Sequence, residues 1–186
     1  MRNITICFTF LIASVSIYSL ECKPNKSYID QNEPRIFNTT NNLLRLPGEE
    51  PIFCGDKLTL NISLVDSNCV PISDAKLYIW QVACDKKYPY KPLKKKPNPQ
   101  MFNLKNNIST FLGSGSVVTN NLGIGQFITI YPPAIDKLGS HINLRVFHPQ
   151  LGTFQTKIML DDYDMSDTGI MHVTIVAPWK NIFRKY

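Results

Sequence analysis

The chain has 186 residues, 20 Lys and Arg against 14 Asp and Glu, a net charge of +6, and 44% hydrophobic against 18% charged residues. Roughly 100–200 residues make one domain, so a single compact body is expected and a long multidomain machine is excluded. The apolar share is too high for a disordered chain, and 9 Gly and 13 Pro scattered without period exclude a collagen-like repeat.

The N-terminus carries the longest apolar run. Met1-Arg2-Asn3 is a short positive leader, residues 4–20 are almost wholly apolar or small, and Glu21-Cys22-Lys23-Pro24 follows as a polar break. This order predicts a secretory signal peptide over residues 1–21, cut after Ser19 or Glu21. A retained anchor is the alternative, at the short limit for spanning a bilayer. Cys22 resembles a lipoprotein acceptor, but Glu21 stands where a small residue is expected. Arg2 and Glu21 leave together, so the expected mature chain keeps its charge of +6. A secreted or periplasmic location, with no membrane contact after cleavage, is the expectation.

Residues 22–52 are rich in Asn, Pro and charge, with one apolar pair at Leu43-Leu44, and read as an extended N-terminal arm. Residues 53–186 read as the folded domain. In it Leu58, Leu60, Ile62 and Leu64 alternate with polar residues, the period-two signature of a strand with one wet face. Asp66-Ser67-Asn68 is turn chemistry, and residues 75–82 form the next strand. Further strands are predicted over residues 110–118, 126–130, 142–147, 154–160 and 172–176, punctuated by Asn120-Asn121, Gly123, Pro132-Pro133 and Pro149. No window carries a sustained helical stripe. The expected class is all-β, an antiparallel β-sandwich.

Lys86, Lys87, Lys91, Lys94, Lys95 and Lys96 concentrate positive charge between two strands. Such a run can meet a polyanionic ligand such as an acidic glycan, but the interleaved Pro89, Pro92, Pro97 and Pro99 read first as a solvated loop. No Arg forks onto phosphate there and no nucleic-acid fold signature occurs, so a nucleic-acid partner is not expected. Export removes Cys7 and leaves Cys22, Cys54, Cys69 and Cys84 in a compartment where disulfides persist. Three pairings are open. Cys54 precedes one predicted strand and Cys84 follows the next, so an antiparallel course favours Cys54–Cys84. No Cys or His pair has zinc spacing, and no G-x-S-x-G elbow, P-loop or H-E-x-x-H is present. Asn25, Asn38, Asn61 and Asn107 open glycosylation sequons.

The segment from Pro71 through Ala75, Trp80-Gln81 and Tyr88 resembles the P-V-x-x-A-x-V-x-x-W-Q-A-N-x-x-G-x-Y stretch of the intradiol ring-cleavage dioxygenases. Thr129-Ile130-Tyr131-Pro132-Pro133 resembles that family's T-I-x-P-G, and Ser140-His141-Ile142-Asn143-Leu144 its A-H-I-H-F. The resemblance covers about residues 53–165 and implies a prealbumin-like sandwich. It also implies a non-haem Fe(III) held by two tyrosinates and two histidines, which cleaves catechols with O2. A ferric ion prefers hard anionic oxygen, and two phenolates offset much of its charge.

Carried over by position, the first tyrosine is Tyr88 and the first histidine His141, the two metal-ligand candidates. The second histidine falls on Asn143, the second tyrosine on Ile135, and the substrate-site arginine on Leu138. Tyr131, Tyr90 and the acidic run Asp161, Asp162, Tyr163, Asp164 are the neighbours that could substitute, whereas His148 and His172 read as structural. Three functions follow. The first is an exported dioxygenase-like binding or structural module for a small aromatic or polyanionic ligand, with no cofactor. The second is an active Fe(III) dioxygenase with a rearranged site, and the third an adhesive or glycan-binding module using the lysine loop.

Overall fold

The computed structural model describes residues 21–93 and 109–179. Residues 1–20 of the expected leader, with Cys7, and Lys94, Lys95, Lys96, Pro97, Pro99 and Asn107 lie outside the described residues. Among the described residues seven strands follow in chain order: β1 (Lys57–Val65), β2 (Lys76–Trp80), β3 (Ser114–Val118), β4 (Ile124–Ile130), β5 (His141–His148), β6 (Gly152–Met159) and β7 (Ile170–Val176). They form a three-stranded sheet in the order β4-β1-β7 and a four-stranded sheet in the order β3-β2-β5-β6. The ladders are antiparallel except that β1 and β7 run parallel. This is the all-β sandwich the alternation predicts. Among the described residues no helix is long and apolar enough to cross a membrane.

The core forms where alternating apolar faces meet. Leu58, Leu60, Ile62 and Leu64 of β1 are wholly buried against Leu77 and Ile79 of β2, with Phe127, Leu144 and Val173 in the same cluster. Removing each such side chain from water stabilises the fold by about 1.5–3 kcal/mol. Strand β3 starts later than the pattern predicts. Gly113 takes φ +66 and breaks the strand course, and the backbone N–H groups of Thr110 and Leu112 are spent on Ile52 and Leu43 carbonyls.

Residues 22–52 do more than trail along the surface. The Asn25 N–H donates to the Val176 carbonyl, and the Asn25 side chain accepts from the Val176 N–H. Tyr28 N–H donates to Gln155 of β6, so this stretch closes the seam between β6 and β7. At the other seam Thr40 accepts from Ser116 of β3, while Asn41 and Leu43 exchange bonds with Ile128 of β4. Unpaired strand edges are thereby covered. The approach is close: a Cβ on Gly115 would sit 2.5 Å from the Thr40 carbonyl oxygen. Leu43 enters the main core with no exposed surface.

Two disulfides fix these segments. Cys54–Cys84, the pairing favoured from sequence, ties the approach to β1 to the loop after β2, and so joins the sheets. Cys22–Cys69 fastens the start of the N-terminal segment to the turn after β1. Closing loops of 47 and 30 residues contributes about 4 kcal/mol each in the chain-entropy description.

Candidate functional site

Alternation along β5 puts Ile142, Leu144 and Val146 into the core and turns His141, Asn143 and Arg145 to the outer face of the four-stranded sheet. Register sets Asn143 opposite Trp80 and Arg145 opposite Tyr78 on β2. An outer face is ordinarily wet, yet His141 is 5% and Asn143 1% exposed. The N-terminal segment and the loop after β2 both pack on this face.

That cover is held by polar and aromatic contacts. Asp30 Oδ2 accepts from the Trp80 indole N–H at 2.7 Å, and Asn32 donates to Asp30 Oδ1 at 3.2 Å. Glu33 pairs with Arg145 and accepts from Gln155 Nε2 at 3.0 Å. The Arg145 guanidinium lies over the rings of both Phe37 and Tyr78, 4.9 and 4.5 Å from their centroids, and Phe37 meets Trp80 edge-on at 5.7 Å. Residues 30–37 thus form a strap across the sheet.

Tyr88 comes to the same place from the loop after β2. A tight turn, with Lys86 at φ +63 and the Ala83 N–H bonded to the Lys87 carbonyl, folds the chain back over the sheet. Tyr88 is buried with Trp80 and Val82, and Phe37, Tyr90 and Ile135 pack on that cluster. The Tyr88 hydroxyl is hydrogen-bonded by the side chains of Asn143 and Asn32. Asn143 also donates to the Trp80 carbonyl at 3.3 Å, while its Oδ1 has no hydrogen-bond partner. His141 Nδ1 contacts the Gly139 carbonyl at 3.1 Å. Tyr88, Ile135 and Asn143 therefore meet in one cluster, and His141 lies two residues along the same face of β5.

The electrostatics keep this cluster protonated at the phenols and neutral at the imidazole. Burial pushes the Tyr88 hydroxyl well above its ordinary value of 10.0, and the Asp30 charge pushes the same way. Burial, then Tyr88, Asp30 and Glu33, raise Tyr90 strongly. His141 moves below 6.5, first through burial and also through the positive charge of Lys157. Among the described residues, no three His, Cys, Asp or Glu side chains come together as a metal-holding group.

The other candidates lie apart. The Tyr131 hydroxyl bonds Asp161 at 3.2 Å and its ring packs on the main core, as does Tyr163. Leu138 is half exposed. His172 is exposed on β7, and His148 accepts from the Gln150 N–H in the turn after β5. Lys86 and Lys91 are exposed. Sequence reasoning missed Asp30, Asn32, Glu33 and Phe37. The period-two pattern points to none of them, since the sheet partners of Asp30, Glu33 and Phe37 lie at least 40 residues away; an acid pair beside Pro34 and Phe37 is the sole sign.

No family model matches the chain. It is 38% identical over 163 residues to a Rickettsia felis protein named "Putative dioxygenase", covering 87% of this chain and 78% of that protein. A Rickettsia typhi protein of the same name is 36% identical over 193 residues, covering 98% and 92%. Among solved structures, the fold is similar to the dioxygenase domain of a dioxygenase–carbohydrate-binding fusion from Streptomyces sp. SirexAA-E (TM-score 0.62, 14% identity, 85% of this chain and all of that one). It is also similar to an intradiol ring-cleavage dioxygenase from Tetranychus urticae (TM-score 0.59, 17% identity, 88% and 97%). The W-Q…Y motif, the sandwich it predicts and these relatives agree: the chain belongs to the intradiol ring-cleavage dioxygenase family.

Proposed function

We propose that this protein is an exported, non-catalytic member of the family, a binding or structural module on a dioxygenase scaffold. The observation that carries the reading is Ile135. At the position matched to the second tyrosinate, an aliphatic side chain packs directly against the Tyr88–Trp80 cluster. A ferric ion there would find Ile135 in place of the family's second tyrosinate, with Tyr90 the neighbouring phenol beside Tyr88, and an amide at Asn143 in place of a second imidazole. Both phenols are buried in a setting that, with the Asp30 charge, favours their protons. This donor set does not suit a trivalent cation that takes hard anionic oxygen, and no ring-cleavage step is derived through it. The two disulfides support an oxidising compartment and hence the predicted export.

The test is oxygen uptake by the oxidised full chain after incubation with ferric iron, with catechol as substrate. No uptake above a protein-free control is expected. Ring opening coupled to O2 consumption, abolished by Tyr88→Phe, would overturn the proposal.

A further inference from the structure

The cover that the N-terminal segment gives β3 stops short of the strand's end. Bonds from the Gln81 N–H to the Gly113 carbonyl and from the Thr119 N–H to the Ala75 carbonyl set the alternation along the β2–β3 ladder. Ser114, Ser116 and Val118 therefore direct their N–H and C=O groups away from β2, along the open edge. The first two are engaged. The Ser114 carbonyl accepts from Asn38 Nδ2 at 3.2 Å, and the Ser116 N–H donates to the Thr40 carbonyl at 3.0 Å. Phe37 then packs on Tyr78 and Trp80, so the segment leaves the edge for the sheet face. Among the described residues no bond reaches the Val118 N–H or carbonyl.

The space beside that edge is a cleft of about 690 Å³, lined by Asn38, Thr40, Leu46, Lys76 and Val118 with their neighbours. Val118 and Leu46 are 53% and 42% exposed. Register sets Lys76 directly opposite Val118. The Lys76 ammonium lies 5.2 Å from the Tyr78 ring centroid and meets no carboxylate among the described residues. An unpaired backbone edge, an apolar wall and an unmatched cation share one cleft.

We infer that this cleft binds an extended acidic peptide, which adds a strand to β3 by pairing with Val118 and places a carboxylate on Lys76. Backbone groups select a polypeptide, because it offers N–H and C=O at strand spacing. Residues 38–40 of the chain itself already bond the same edge one step along. Lys76 decides between occupants. Two copies of this edge would bring two lysines together, whereas an acidic segment supplies the missing charge. No lining residue belongs to the Tyr88–Trp80 cluster, so the inference stands apart from the loss of ring cleavage.

The probe is a displayed library of random hexapeptides, panned on the oxidised full-length protein. Enrichment of Asp or Glu between β-branched residues is expected. A fluorescein-labelled, enriched peptide should slow hydrogen exchange at the Val118 amide. Val118→Pro removes the outward N–H and leaves the β2 ladder its bonds, so it should weaken that peptide about tenfold, the scale of one backbone hydrogen bond. Lys76→Met should weaken it about two- to fivefold, the scale of an exposed ion pair. Lys76→Glu, which spares the strand backbone, should turn the selection towards basic peptides. Enriched peptides that leave Val118 exchange unchanged, a selection indifferent to Lys76→Glu, or no enrichment at all would overturn the inference. A dimer in sedimentation, dispersed by Val118→Pro, would give the edge to a second copy and overturn it as well. Oxygen uptake is measured separately, so none of these outcomes touches the proposal of lost catalysis.

Discussion

The two faces of β5 are built by different rules from the same eight residues. Inward, Ile142, Leu144 and Val146 meet a core made by neighbouring strands, and any apolar residue of the right volume serves. Outward, His141 and Asn143 are buried and Arg145 is half-buried, each fixed by particular partners, Arg145 by Glu33 of a strap more than 100 residues away in sequence. The inner face makes the sandwich. The outer face is where family chemistry would reside, and here it is closed by hydrogen bonds and an ion pair.

Breaking each face separates the rules. The largest effect is expected from Arg145→Met, which leaves Glu33 buried without its cation and should cost about 3–5 kcal/mol by denaturant unfolding. On the inner face Leu144→Ala should cost about 2–5 kcal/mol, while Leu144→Met should stay below about 1.5 kcal/mol. An outer face as tolerant as the inner one would show a small loss for Arg145→Met.

Smaller effects come through pH. Tyr88 keeps its proton in the folded state above 10.0, whereas the unfolded chain releases it near that value. Its contribution is therefore complete below pH 10 and falls as pH rises, and Tyr88→Phe should flatten that alkaline loss. His141 is shifted the other way. The unfolded chain takes up a proton near pH 6.5 and the folded chain only below it, so stability falls as pH drops below 6.5. His141→Gln should remove that acid-side slope. Unchanged slopes in melting temperature against pH would place these groups outside the buried cluster.

Much of the inner face is legible in the sequence because local periodicity encodes it. Leu58, Leu60, Ile62 and Leu64 announce a strand, and the favoured Cys54–Cys84 pairing follows from strand direction. The outer face is legible only through resemblance, which assigns Tyr88, Ile135, His141 and Asn143 to one site. The strap escaped notice because Asp30, Glu33 and Phe37 are irregular, polar-flanked positions. Their meaning lies in contacts with Trp80 and Arg145, 50 and 112 residues away. The same blindness hid Leu43, one half of an isolated apolar pair, which turns out to be a core residue.

The most direct measurement is the visible spectrum of the oxidised full chain during ferric titration, beside the Ile135→Tyr/Asn143→His double variant. The replaced donors predict no tyrosinate-to-iron band in the natural chain and a band in the variant that regains phenol and imidazole. A band in the natural chain, lost on Tyr88→Phe, would contradict the claim that its ferric chemistry is gone.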